Sequence, residues 1–129
     1  MAEPFPADVV SFLDSHVESI DQLEILRILG EAPSRAWPIA SLATEVQTPA
    51  RDLAGHLTAL RERGLLNLEG AGADSVWRYA PATPELATIL LRVLQIYRER
   101  PVSMIKLVYA RADDPVRAFA NAFRLRMGG

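Results

Sequence analysis

The chain has 129 residues and a net charge of −2, with 50% hydrophobic and 23% charged residues, the composition of an ordinary globular domain with a substantial core. It contains no cysteine, which excludes disulfides, thiolate metal sites and a cysteine nucleophile. The first residues lack the pattern of a secretory signal, and the longest apolar stretch, residues 86–96, contains Arg92 and is too short to span a bilayer. We therefore expect a cytoplasmic protein without membrane association.

Two helices are predicted in the first part of the chain. Residues 6–17 carry apolar side chains at the spacing of one helical face. Ser19 and Gln22 then have the spacing of a capping box, in which each side chain bonds the free backbone amide of the other. The helix that begins there is apolar on most sides, so we expect it to lie at the centre of the core and to end at Gly30.

A loop is predicted over residues 31–37, and two short amphipathic helices follow it. The first has apolar residues at i, i+3, i+4 and i+7, namely Ile39, Leu42, Ala43 and Val46. The second is expected to have Thr48 as its N-cap, Pro49 at its first position and Gly64 at its end. Its apolar stripe consists of Leu53, Leu57 and Leu60. Two short helices joined by so tight a turn predict a helix-turn-helix.

The pattern then changes from a helical to an alternating period. Residues 66–69 alternate apolar and polar side chains, residues 70–75 are typical of a turn, and residues 76–79 can return as a second strand. Trp77 and Tyr79 lie on the same side of that strand, where we expect them to pack against the helices. This stretch predicts a β-hairpin.

The C-terminal part of the chain is predicted to be helical. A long helix begins at residue 84 and ends near residue 98, residues 102–109 have an ambiguous period that we interpret as helix, and a last helix begins after Asp114. The long helix is apolar over more than one side, which predicts a homodimer, because a small domain can cover only one of its sides. The predicted dimer interface comprises Leu91, Leu94, Ile96, Tyr97, Phe119 and Phe123. We divide the chain into residues 1–83 and an extension, residues 84–129.

The sequence contains no convergent set of reactive groups, so we do not expect an enzyme. Only two histidines occur, His16 and His56, and each lies on or near an apolar helical stripe, where a packing role is the simpler interpretation. Residues 84–129 contain neither histidine nor cysteine. We expect no metal site and no cofactor.

Two stretches resemble bacterial regulators of the ArsR and MarR types: SIDQLEILRILGEA at residues 19–32 and HLTALRERGLL at residues 56–66. The resemblance covers roughly residues 19–80, and the C-terminal part is similar to small bacterial winged-helix proteins. It implies a winged helix-turn-helix that binds duplex DNA as a dimer and regulates transcription. Metal sensing, which many ArsR-type proteins perform, is not implied, because the ligands are missing. The sequence specifies no small-molecule effector.

The resemblance also implies which residues contact DNA. The recognition helix, residues 49–63, is expected to enter the major groove and the wing, residues 66–79, to reach the backbone or minor groove. The candidate residues are Arg51, Asp52, Gly55, Thr58, Arg61 and Arg63 on the helix and Arg78 on the wing. Arg51 is suited to guanine or phosphate, and Thr58 to phosphate.

The charge distribution keeps a second hypothesis open. Residues 1–83 contain six basic and twelve acidic residues, a net charge of −6, whereas residues 84–129 contain eight basic and four acidic residues, a net charge of +4. A DNA-binding half is usually basic. The alternative is therefore a winged-helix module that binds another protein and has no significant DNA affinity.

Overall fold

The computed structural model describes residues 5–112. Within this range the chain forms six α-helices and one antiparallel hairpin, which confirms the predicted mainly helical fold class. The elements are α1 (Ala7–His16), α2 (Ile20–Glu31), α3 (Ile39–Val46), α4 (Ala50–Glu62), β1 (Leu66–Glu69), β2 (Val76–Tyr79), α5 (Pro84–Glu99) and α6 (Pro101–Ala112). No helix in the described range is long and apolar enough to cross a membrane.

The junction between α1 and α2 is shaped by one serine and one glutamine. The Ser19 hydroxyl caps α2, as predicted, by accepting a hydrogen bond from the backbone N–H of Gln22 at 3.3 Å. The reciprocal bond of the capping box is different, because the Gln22 side-chain oxygen accepts from the backbone N–H of Glu18 at 2.9 Å. The predicted stop at Gly30 is early by one residue, since α2 continues to Glu31.

Helices α3 and α4 pack together as the predicted helix-turn-helix. Helix α3 ends at Gln47, whose left-handed backbone (φ 60°) turns the chain sharply towards α4. Pro49 occupies the N-cap position of α4, so the predicted cap at Thr48 is wrong by one residue. The fully buried leucines of the pair are those of the predicted stripes, Leu42, Leu53, Leu57 and Leu60.

The hairpin is held against the helices by a third segment. Strands β1 and β2 pair with Leu66 opposite Tyr79. Trp37, at the end of the predicted loop, forms two backbone hydrogen bonds with Trp77 of β2: its N–H donates at 2.9 Å and its carbonyl accepts at 2.8 Å. Trp77 is buried, as expected for a residue that packs on the helices. The base of the wing is therefore fixed on both edges of β2.

Helices α5 and α6 complete the core. The Thr83 hydroxyl caps α5 by accepting from the backbone N–H of Leu86 at 3.1 Å. The side chains that α5 buries join the cluster formed by α1 and α2, and they are Leu90, Val93, Leu94 and Tyr97. The ambiguous segment is helical, and α6 contributes Met104 and Val108 to the same cluster. The helix predicted after Asp114, with Phe119 and Phe123, lies outside the described residues.

Candidate nucleic-acid interface

Helix α4 has one solvent-exposed face, and it carries most of the residues expected to contact DNA. Of the residues expected to contact DNA, Arg51, Asp52, Gly55, Thr58 and Arg61 are exposed, and Ala50 and Glu62 of the same helix are exposed as well. Arg51, Gly55 and Thr58 follow one another at i, i+4 and i+7, so they lie on one line about 10 Å long. This line runs opposite the stripe by which α4 packs into the core.

The centre of that line has no side chain. A Cβ atom at Gly55 would meet no atom of residues 5–112 within 4 Å, so no contact in this part of the chain requires glycine at this position. Glycine in an exposed helix interior destabilises the helix by about 1 kcal/mol relative to alanine. The folded protein therefore tolerates a cost that its own packing does not explain, and a close approach of α4 to a partner surface would explain it.

Two arginines on the exposed face are unpaired. Neither Arg51 nor Arg61 has an ion-pair partner among residues 5–112. They lie near opposite ends of α4, about 15 Å apart along its axis. Asp52 occupies the first turn, where a carboxylate interacts favourably with the helix dipole. The free positive charges of α4 are thus at the two ends of its exposed face.

Arg63 has a different role from the one expected of it. Its guanidinium forms an ion pair with Glu18 and donates to the backbone carbonyl of His16 at 3.0 Å and to Gln22 Oε1 at 3.3 Å. The side chain is only 16% exposed. Three acceptors from the α1–α2 junction therefore hold this arginine within the protein, and we do not retain it as a DNA contact.

Arg78 is also engaged within the protein. Its Nε donates to the Glu69 carboxylate at 2.7 Å across the hairpin, and Nη1 donates to the backbone carbonyl of Ser34 at 2.6 Å. These bonds connect the wing to the loop that precedes α3. Burial raises the pKa of the neighbouring Tyr79 phenol above its ordinary value. Arg78 therefore shapes the wing, and its side chain remains 37% exposed.

The residues expected at a dimer interface differ in their exposure, since some are buried within the protomer and others are accessible. Leu94 and Tyr97 pack inside the protomer and are 7% and 5% exposed. Leu91 is 56% exposed, and Ile96 is half-buried. Two further exposed apolar residues, Val102 and Tyr109, lie on α6 and were not singled out from the sequence. The apolar surface that remains for a partner is therefore smaller on α5 than predicted and extends to α6.

Sequence reasoning missed one residue that contacts α4, namely Gln22. Its side chain is 1% exposed and bonds both His56 and Arg63. The sequence position of Gln22 indicates that it is buried, because Leu26 and Leu29 follow it at i+4 and i+7 on the apolar stripe of α2. A polar residue at such a position requires buried hydrogen-bond partners.

The helix-turn-helix of α3 and α4, followed by a hairpin, defines a winged-helix fold within the described residues. No family model matches the chain, and no curated protein matches it. A solved structure named as a possible transcriptional regulator from Methanosarcina mazei Go1 is similar, with a TM-score of 0.51 and 16% sequence identity. The similarity covers 81% of this chain and 89% of that protein. At this identity it establishes a shared fold.

Proposed function

We propose that this protein is a transcriptional regulator of the ArsR/MarR type that binds duplex DNA as a homodimer. The observation that carries the proposal is the exposed face of α4, on which two unpaired arginines flank a glycine without steric neighbours. The major groove of B-DNA is about 12 Å wide and admits an α-helix. We assign the adjacent hairpin, residues 66–79, to the DNA backbone or the minor groove.

We assign the exposed residues of α4 to different parts of the DNA. Arg51 lies near the N-terminal end, which winged-helix and related proteins insert into the groove, so we assign it to a guanine or a phosphate. Thr58 and Arg61 lie further along the helix and are assigned to the DNA backbone. Gly55 allows the helix to approach closely.

One protomer has few residues that could contact DNA, and dimerisation would double their number. The exposed apolar residues Leu91, Val102 and Tyr109 on α5 and α6 support an interface there. A two-fold dimer presents two recognition helices to successive major grooves. In this arrangement four unpaired arginines, two from each protomer, would face one DNA site.

The acidic balance of residues 1–83 supports a second candidate, a module that binds a protein through the same face. Asp52 and Glu62 on α4, each next in sequence to one of the unpaired arginines, are exposed, and so is Glu45 on α3. Negative charge next to a phosphate weakens binding. A partner with basic and acidic side chains would match this mixed face better than DNA does.

The deciding experiment measures duplex DNA binding by fluorescence anisotropy at two salt concentrations. A duplex is first selected from a random-sequence pool with the wild-type protein, and the Arg51→Ala variant is then compared with Arg27→Ala. Arg27 is a surface residue of α2 that pairs with Glu24 and Glu31 of the same helix, so its removal controls for the change in net charge. We expect Arg51→Ala to weaken binding about tenfold or more if it contacts a base.

The salt dependence separates the two roles of Arg51. Loss of a phosphate contact lowers the slope of log affinity against log salt by about one, whereas loss of a base contact changes discrimination between sequences. Selection that enriches no sequence, or Arg51→Ala binding like the wild type, would favour the protein-binding module.

A further inference from the structure

Gln22 is the only buried polar side chain among residues 5–112, and both the oxygen and the nitrogen of its amide have hydrogen-bond partners. The side-chain oxygen accepts hydrogen bonds from the backbone N–H of Glu18 at 2.9 Å and from Arg63 Nη1 at 3.3 Å. The side-chain nitrogen lies 3.3 Å from His56 Nδ1. Buried amides of this kind specify one local arrangement, because every exchange of partners leaves a group unsatisfied.

These partners fix both the amide orientation and the histidine tautomer. Both groups that face Gln22 Oε1 are donors, so the amide cannot rotate by half a turn without placing its NH₂ against them. His56 Nδ1 must then accept from the amide, and the ring proton is placed on Nε2. The Asp21 carboxylate lies 3.7 Å from His56 Nε2 and favours the same tautomer.

Two of the partners belong to the recognition helix or its end. His56 lies within α4, and Arg63 is the first residue after the helix. Arg63 is two helical turns from His56, about 10 Å along the helix axis. Bonds at two separated points on the same side oppose both sliding of the helix and its rotation about its own axis. Arg51 and Arg61 each lie five residues from His56, about 140° round the helix, so any rotation of α4 moves both.

We propose that Gln22 is a positioning residue that sets the rotation of α4 and thereby its affinity for DNA. The inference rests on the proposed DNA-binding function for its last step only. Glu18 forms an ion pair with Arg63, and Asp21 faces His56. Both acidic residues lie at the α1–α2 junction and support the same contact. The recognition helix is thus attached by polar bonds to α1 and α2 as well as by its leucine stripe.

The test compares Gln22→Met, Gln22→Glu and the control Gln95→Met, which changes an exposed glutamine of α5. Methionine keeps the length of the side chain and removes all three bonds. Glutamate keeps both acceptor bonds but offers no donor to His56. Imidazole nitrogen chemical shifts at pH 8 report the His56 tautomer, backbone amide shifts report the orientation of α4, and anisotropy reports affinity for the selected duplex.

We expect the His56 proton on Nε2 in the wild type and in Gln95→Met, and its appearance on Nδ1 in Gln22→Glu, because a carboxylate can only accept. Gln22→Met should shift the amide signals of α4 and weaken DNA binding about tenfold or more, the effect of one lost base contact. Gln22→Glu should retain most of the affinity, since the bond to Arg63 persists.

Three results would overturn the proposal: a wild-type His56 that carries its proton on Nδ1, a folded Gln22→Met with unchanged α4 signals, or the same variant with wild-type affinity. If Gln22→Met does not fold, an unaltered His56 tautomer in Gln22→Glu overturns it. A wild-type protein that binds no duplex rejects the DNA-binding function itself, while the tautomer and amide signals still decide whether Gln22 positions α4.

Discussion

Leu94 of α5 packs so closely on Gly30 of α2 that a Cβ atom at Gly30 would lie 2.6 Å from Leu94 Cδ1. The ring of Tyr79 lies on the other side, with its Cε2 atom 3.4 Å from the same point. The two helices therefore meet where α2 has no side chain. We predict that Gly30→Ala destabilises the fold by about 1 kcal/mol, although alanine is the better helix former, because overpacking outweighs helix propensity.

Denaturant unfolding of a double-mutant cycle checks this prediction. Leu94→Ala alone should cost about 2–4 kcal/mol through the cavity that it leaves. Adding Gly30→Ala to that variant should be neutral or stabilising, because the new methyl group then occupies free space. Equal effects of Gly30→Ala in both backgrounds would show that the close contact is unimportant.

Gly55 provides the opposite case, since it lies in the interior of α4 with open space around it. We predict that Gly55→Ala stabilises the protein by about 1 kcal/mol in denaturant unfolding. The same change should weaken binding to the selected duplex, because the methyl group would hold α4 away from the groove.

Because Gly55→Ala is expected to raise stability and to weaken DNA binding, both quantities should be measured on the same preparation. A variant that is more stable and binds DNA equally well would mean that this part of α4 does not approach a partner. Ala54→Gly, one position earlier on α4, is a useful control for helix propensity, because it should destabilise the protein.

Local sequence patterns predicted most of the fold. The apolar spacing of α4, the Ser19 cap and the alternation in residues 66–69 each depend on residues a few positions apart, and such short-range rules act before any tertiary contact forms. For the same reason the exposed face of α4 was predictable, since it is the side opposite Leu53 and Leu57. The helix ends shifted by about one residue in α2 and α4, and α6 continues three residues beyond its predicted end, to Ala112.

Tertiary contacts could not be read from such patterns. Trp37 joins β2 through backbone bonds that carry no residue-type signal. Arg63 and Arg78 look like exposed cations in the sequence, but acceptors up to 47 positions away in the chain, such as the carbonyls of His16 and Ser34, occupy them. Leu94 resembles Leu91 as an apolar residue of a wide stripe, yet only the packing of α5 on α2 buries it.

Leu91 is the sharpest probe of the proposed dimer. Because its side chain is 56% exposed, Leu91→Ser should leave the unfolding free energy of a monomer nearly unchanged while it weakens association at α5. Sedimentation equilibrium at micromolar concentration measures the association constant directly. Leu94→Ser is the matched change at a buried position, and it should unfold the protomer rather than dissociate a dimer. A wild-type protein that remains monomeric would reject the dimer.

Tyr97 connects α5 to α2 through a bond that depends on pH. Its hydroxyl donates to Glu24 Oε1 at 3.1 Å. Burial, reinforced by the negative charge of Glu24, raises the pKa of Tyr97 from 10.0 to about 12. Well below pH 10 the phenol is protonated in both the folded and the unfolded chain, so it contributes no pH dependence there.

Above that pH the unfolded chain loses the phenolic proton first, so the contribution of Tyr97 to stability is lost as the pH rises from about 10 to about 12. We predict that Tyr97→Phe is less stable than the wild type by roughly 1 kcal/mol at pH 8, through the lost hydrogen bond. The gap between the two unfolding free energies should narrow with increasing pH, because phenylalanine does not ionise. Using the difference between the two proteins removes the contribution of other groups that titrate in this range, including Tyr79. A gap that stays constant from pH 8 to pH 11 would show that the Tyr97 phenol ionises equally readily in the folded and unfolded chains.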